Sequence, residues 1–326
     1  MNEAFYQKLM QVVNKNQILI EEPLARHTTF QVGGPAQFLI VPESITQIKE
    51  LVDLCTKEDM DLFVMGNGSN LLVSDIGFRG VVIKLCHVFS NIAISKIDFD
   101  NKKEYLYTLP EQLDKNETWY QVTAESGVML SKLANLVADE SLEGFEFAAG
   151  IPGTLGGAVT MNAGAYDGEI KNSIIGATVL DRKGNLYKLN KEELKLGYRK
   201  SIIQDNNYIV LDATFLFKIG KKEEIRNKIN DLNARRRDKQ PLEYPSAGST
   251  FKRPNGYFAG KLIMDSGLRG YQLGNAQVSE KHCGFIINRG GATAAEVRAL
   301  ISEIIRIVYE KHGVMLEPEV KLLGEF

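Results

Sequence analysis

Apolar side chains recur at Ile45, Ile48, Leu51, Val52 and Cys55, a spacing that places them on one stripe of an α-helix. The pattern then shortens to a compact apolar run over residues 61–65, which predicts a buried strand. A polar turn follows at once, Gly66, Asn67, Gly68, Ser69 and Asn70, and Leu71, Leu72 and Val73 predict the next strand. Helix, strand, glycine turn and strand form an α/β layout with a ligand loop at a strand end. Further strands are predicted over 80–85, 119–124, 174–180 and 208–217, with a turn at 181–184. A helix starting near Glu223 carries Ile225, Ile229 and Leu232 at helical spacing. The last helix opens with a capping box at Thr293 and Glu296, buries Val297, Leu300, Ile301, Ile304 and Val308, and stops near Gly313.

A chain of 326 residues has room for two or three domains and a sizeable core. A net charge of −2 gives no electrostatic reason to expect nucleic acid or an anionic membrane as partner. Cys55, Cys86 and Cys283 are an odd, scattered set without a C-x-x-C pair, so neither a disulfide framework nor a thiolate metal site is expected. The opening residues lack a basic segment followed by an apolar one, and no long uninterrupted apolar stretch occurs. A cytoplasmic protein with reduced thiols is expected. Residues 98–117, with Asp100, Lys102 and Lys103, read as a solvated hairpin or loop of peripheral character.

Between Gly150 and Glu169 lie six glycines in twenty residues and no lysine or arginine, a composition suited to holding an anion by backbone N–H dipoles. The turn at residues 66–70 has two glycines of a dinucleotide fingerprint but Leu71 where the third would fall, so it is not one, and alone it reads as a structural turn. Ser249 sits beside Gly248 with Lys252 and Arg253 close behind; without a G-x-S-x-G elbow or an obvious histidine base, proton donation suits it better than acylation. The basic run at residues 235–239 fits either a charged helix C-terminus or a phosphate site. Taken singly, Glu319 reads as a surface carboxylate and Arg199 as a solvated cation.

Taken together these segments resemble the UDP-N-acetylenolpyruvoylglucosamine reductase family, compact type, over nearly the whole chain and in order. The matching residues are His27, Thr28, Thr29, Phe30, Val32, Gly33 and Gly34, the turn from Gly66 to Asn70, Ile151, Pro152, Gly153, Gly156 and Gly157, and Asn162 to Tyr166. Gly197 to Arg199, Gly248 and Ser249, Ala259 to Leu262, and Glu317 to Val320 complete the match. The resemblance implies an α+β chain: an FAD-binding domain of the vanillyl-alcohol-oxidase (PCMH) type in two subdomains, residues 1–85 and 86–220. A smaller α+β substrate-binding domain over 221–312 and a C-terminal strand over 313–326, returning to the flavin region, follow from it.

The same resemblance implies reduction of UDP-N-acetylglucosamine enolpyruvate by NADPH through FAD, in peptidoglycan precursor synthesis. Arg199, Ser249 and Glu319 would be catalytic: Arg199 at the developing negative charge, Ser249 as proton donor to carbon, Glu319 stabilising the enol form. FAD would be held by Gly66, Asn67, Gly68, Ser69, Asn70, Ile151, Pro152, Gly153, Thr154, Gly156, Gly157, Asn162, Ala163, Gly164, Ala165 and Tyr166, with Arg236 nearby. With no histidine in the first loop, the flavin would be bound non-covalently. Lys239 and Arg253 would meet the UDP diphosphate, Lys252 and Lys261 completing the substrate set; Arg253 stands where some relatives have asparagine. No metal is implied, and the protein would be a monomer. A flavin oxidase of the same fold and a non-catalytic nucleotide-sugar or flavin-binding module stay open as alternatives at this level. Short intervals between Arg199, Ser249 and Glu319 leave no tyrosine-bearing lid insert to assume.

Overall fold

The computed structural model describes residues 3–99, 105–111 and 113–326. Packing divides the chain into two compact units, each assembled from separated segments. The first contains residues up to Ile18, Ile40–Gly66 and Ile83–Ala234; the second contains Leu19–Leu39, Asn67–Val82 and Arg235–Phe326. This grouping differs from sequence boundaries at residues 85, 220 and 312, because apolar faces distant in sequence share one core.

The first unit centres on a six-stranded antiparallel sheet in the order Leu186–Asn190, Ile174–Leu180, Ile209–Ile219, Trp119–Glu125, Ile92–Lys96, with Leu142–Glu143 pairing beside the end of Ile209–Ile219. Side chains alternate along a strand, so Val122, Ala124, Ala213, Phe215 and Phe217 share one face and enter the core. Phe145 lies at the middle of that core, its ring 5.3 Å from those of Phe147 and Phe215 and 5.4 Å from that of Phe217, all edge-on. Helices Leu130–Asp139 and Leu155–Thr160 and the first half of helix Lys222–Lys239 contribute Leu133, Val137, Val159, Ile225 and Ile229. Helix Ile45–Lys57, in the same unit, is capped by Ser44, whose Oγ accepts the Gln47 N–H, and it buries Ile48, Leu51, Val52 and Cys55 as its stripe predicts.

The opposite face of the six-stranded sheet corrects the reading of residues 98–117. Asp100, Lys102 and Lys103 lie outside the described residues, but Tyr107 is buried and shares a small apolar cluster with Ile97, Ile175 and Leu216. Its ring occupies the space that a side chain at position 176 would need: a Cβ on Gly176 would fall 2.3 Å from ring carbons. The segment is therefore packed onto the sheet by its aromatic residues, although its composition is polar.

In the second unit an antiparallel sheet runs Ser246–Ser249, Phe285–Asn288, Ala276–Val278, Gln272–Leu273. Helix Ala294–His312 covers a core made with Phe30, Val32, Leu72, Ala247, Ile263 and Ile286. Its capping box at Thr293 and Glu296 and its left-handed stop at Gly313 are as the sequence predicts. The C-terminal strand Lys321–Leu323 pairs in parallel with Leu71–Val73, directly after the first glycine turn. All three cysteines are free, Cys55 and Cys283 buried, and no helix among the described residues is long and apolar enough to cross a membrane.

Candidate active site

Gly66 meets the second glycine segment within the first unit. A Cβ on Gly66 would lie 1.9 Å from Thr154 Oγ1, so the end of strand Leu62–Met65 and the loop before helix Leu155–Thr160 touch through the missing side chain. The second loop is held by its own backbone: Leu155 N–H donates to Val128 O, Gly156 N–H to Ser126 O, both at 2.8 Å, and Leu130 N–H to Gly153 O at 2.9 Å. Those N–H groups are consequently committed to the fold, which narrows the anion-holding capacity attributed to the glycine cluster. Beside Gly156, Ser126 Oγ is fully buried and has no hydrogen-bond partner among the described residues. A buried orphan hydroxyl beside a cation-free, glycine-lined segment is a donor set that fits a diphosphate-bearing flavin.

Arg199 stands on a tight turn in the same unit. Gly197 and Lys200 exchange both backbone hydrogen bonds, 3.0 and 3.2 Å, and Arg199 between them has φ +54°. Its Nη2 donates to Gly164 O at 3.3 Å and its guanidinium lies 5.2 Å from the Tyr198 ring centre, so it is half-buried and oriented, not merely solvated. Asn162 holds this turn. Fully buried and at φ +42°, it donates from Nδ2 to Gly197 O and to Glu169 Oε2, both at 3.0 Å, and accepts the Lys171 N–H at 2.9 Å. The side chain of Asn162, expected at the cofactor, is thereby occupied by protein groups. Tyr166 likewise donates its hydroxyl to Leu232 O at 3.1 Å.

Ser249 and Glu319, seventy residues apart in sequence, lie on neighbouring backbone in the second unit. Residues 250–252 run antiparallel to 317–319: Glu319 N–H donates to Thr250 O at 2.7 Å, Lys252 N–H to Glu317 O at 2.8 Å, and Phe251 bridges Pro318. Ser249 ends its strand exposed, after Gly248 at φ +76° and a register irregularity. The His27-to-Gly34 motif anchors that strand, since Thr29 Oγ1 donates to Ser246 O at 2.7 Å. Thr250, buried, locks the arrangement by donating its N–H to Gly284 O at 2.8 Å and accepting the Ile286 N–H on Oγ1 at 3.1 Å. No sequence motif pointed to Thr250, because its role arises from three segments meeting in space.

The expected substrate cations also belong to the second unit. Lys239 closes helix Lys222–Lys239, whose last turn also holds Arg236 and Arg237, the favourable end of the helix dipole for cations. Lys252 pairs with Glu317, Lys261 with Asp265 at 2.8 Å, and the Arg253 guanidinium sits 4.0 Å above the Phe258 ring. His282, which sequence reasoning passed over, accepts the Gly284 N–H on Nδ1 at 3.1 Å. Burial, reinforced by the charge of Lys239 and opposed by a backbone hydrogen bond, holds its pKa below the ordinary imidazole value. Among the described residues no group of three or more His, Cys, Asp or Glu is placed to hold a metal ion.

Residues 36–190 match the FAD binding domain family, and residues 240–323 match the C-terminal domain of UDP-N-acetylenolpyruvoylglucosamine reductase. The chain is 52% identical over 325 residues to the UDP-N-acetylenolpyruvoylglucosamine reductase of Lachnoclostridium phytofermentans, covering 100% of this chain and 99% of that one. It is 47% identical over 326 residues to the enzyme of the same name from Agathobacter rectalis, all of both chains being covered. Among solved structures it is similar to the Thermus caldophilus reductase, with TM-score 0.73 and 32% identity over 94% of this chain and 100% of that one. The expected α+β chain with an FAD-binding domain of the vanillyl-alcohol-oxidase type is thus present. Since identity near one half extends over essentially the whole length of both chains, the chain belongs to the UDP-N-acetylenolpyruvoylglucosamine reductase family.

Proposed function

We propose that this protein reduces the enolpyruvyl ether of UDP-N-acetylglucosamine enolpyruvate to the lactyl ether of UDP-N-acetylmuramate, using NADPH and non-covalent FAD. The observation that carries this reading is the pairing of residues 250–252 with 317–319, which sets a hydroxyl and a carboxylate on neighbouring backbone. In this reading residues 1–85 and 86–220 supply the flavin subdomains, 221–312 the substrate domain and 313–326 the returning strand. Gly66, Asn67, Gly68, Ser69, Ile151 to Thr154, Gly156, Gly157 and Asn162 to Tyr166 line the FAD site, with the backbone of Asn70 beside them and Arg236 near it. FAD, when bound and reduced by NADPH, supplies hydride from its N5 to the terminal vinyl carbon.

Reduction leaves carbanion or enolate character beside the substrate carboxylate, and the chain's own residues manage that charge. Arg199 presents a permanently charged, planar donor fork already oriented by Gly164 O and the Gly197–Lys200 turn. Ser249 delivers the proton to the carbon bearing the carboxylate; a hydroxyl is a weak acid, so only a strongly basic carbon draws its proton. Glu319 stabilises the enol form from the adjoining segment. Lys239, Lys252, Arg253 and Lys261 receive the UDP diphosphate and its surroundings. A monomer in the cytoplasm, without nucleic-acid or membrane partner, suits a near-neutral chain with three free thiols.

Anaerobic stopped-flow absorbance tests the assignment. NADPH should bleach the oxidised flavin band and the enolpyruvyl substrate should restore it. Ser249→Ala should leave bleaching by NADPH within about twofold and slow the restoration by roughly a hundredfold or more, the usual weight of a positioned proton donor. Equal loss in both half-reactions would reject the role of Ser249, and flavin reoxidised by oxygen but not by this substrate would reject the reaction.

A further inference from the structure

Asn70 closes the first glycine turn, where a contact with the flavin is the role its motif suggests. Its side chain is turned to another use. Nδ2 donates to the backbone carbonyl of Glu319 at 3.1 Å, while the backbone carbonyl of Asn70 accepts the Lys321 N–H at 2.9 Å. On the far side of Glu319, the N–H of the same residue is held by Thr250 O at 2.7 Å. Both backbone polar groups of Glu319 are therefore fixed, one by the residue after Ser249 and the other by Asn70. The parallel register begins immediately afterwards, Lys321 opposite Leu71 and Leu323 opposite Val73.

A strand of three residues is short, and Glu319 precedes its first paired position by two. Without the Asn70 amide, the Glu319 carbonyl loses its side-chain bond to the turn, and the segment is held there by the backbone bonds at Thr250 and Lys321. A carboxylate that must meet a particular substrate oxygen is sensitive to any residual shift, because an error of about 1 Å in placement costs up to a hundredfold in rate. We propose that Asn70 is a positioning residue for proton management: through the Glu319 carbonyl it holds the carboxylate in register with Ser249, coupling the first glycine turn to the second half-reaction. The inference rests on the catalytic role given to Glu319 above.

The test uses purified holoenzyme carrying Asn70→Ala, with Glu319→Gln measured alongside. Three quantities are read: the dissociation constant of FAD, the rate of flavin reduction by NADPH, and the rate and pH profile of reoxidation by UDP-N-acetylglucosamine enolpyruvate. For Asn70→Ala the expected result is FAD affinity and NADPH reduction within about threefold of the parent. Reoxidation should be slowed about tenfold or more, with a displaced pH profile. Weakened FAD binding with both half-reactions falling together overturns the inference and makes the Asn70 side chain a cofactor contact; unchanged reoxidation overturns it as well. If Glu319→Gln slows reoxidation and Asn70→Ala does not, the inference alone fails. If Glu319→Gln is also without effect, the assignment of Glu319 fails and takes the inference with it. Should Asn70→Ala not fold, Asn70→Ser keeps a turn-forming side chain too short to make the 3.1 Å bond and is read in the same way.

Discussion

Tyr107 shows how a single residue changes the meaning of a segment. Its ring fills the place of a side chain at Gly176, and its hydroxyl lies 3.3 Å from Thr178 Oγ1, two residues along the same strand. Burial pushes its phenol up to about 12 from an ordinary 10, the Thr178 hydrogen bond opposes this, and the nearby Asp212 adds to it. A pKa raised on folding contributes stability that is fully present below pH 10 and is lost as pH rises through the folded value. Phenolate absorbance should accordingly show one tyrosine titrating near pH 12 until the chain unfolds, and Tyr107→Phe should remove that late step and soften the alkaline fall in stability. A Tyr107→Phe protein with the same alkaline titration would place the shift elsewhere. Hydropathy alone concealed this residue, because one buried ring among acidic and lysine neighbours leaves the segment polar on average.

At the scale of elements, helix Ala294–His312 was legible from both its ends and its stripe. Capping and periodicity are local, involving residues within four positions of each other. A second cap was not legible: the Asp75 carboxylate accepts the N–H groups of Ala294 at 2.7 Å and Ala295 at 2.9 Å, from 219 and 220 residues away. Two charge-assisted bonds at a helix N-terminus satisfy otherwise orphan donors and complement the dipole. Asp75→Ala should lower stability by about 1–2 kcal/mol, seen as an earlier denaturant midpoint with unchanged slope, and Asp75→Asn should recover part of it. An unmoved midpoint in Asp75→Ala would mean the cap contributes nothing beyond water. The strand at Leu71–Val73 was likewise legible as apolar and extended, yet its partner, Lys321–Leu323, lies 250 residues on.

At the scale of the molecule, the chain passes between its two units five times, after Ile18, Leu39, Gly66, Val82 and Ala234. The second unit's core needs Phe30, Val32 and Leu72 from the N-terminal third beside Ile263, Ile286 and Ile304 from the C-terminal third. A fragment cut at the compositional boundary, residues 221–326, lacks those three side chains and the Leu71–Val73 partner of its last strand. Expressed alone, it should show little fixed tertiary structure by near-ultraviolet circular dichroism and no cooperative unfolding. A cooperative transition in that fragment would mean that the segments 19–39 and 67–82 are dispensable to the unit.

The sequence by itself determined the elements, whose periods and caps are set within a few residues, and the family, whose motifs fall in order along the chain. Gly66, Ser249 and Glu319 were singled out by the family resemblance, since taken singly Gly66 reads as part of a turn and Glu319 as a surface carboxylate. Only the tertiary structure decided which of these meet. Thr250 and Asn70 bracket Glu319, Asn162 holds the turn of Arg199, Tyr107 seats the polar segment and Asp75 caps a distant helix. Each of these depends on hydrogen bonds or contacts between segments far apart along the chain, and such pairings leave no periodic trace in the residues that make them.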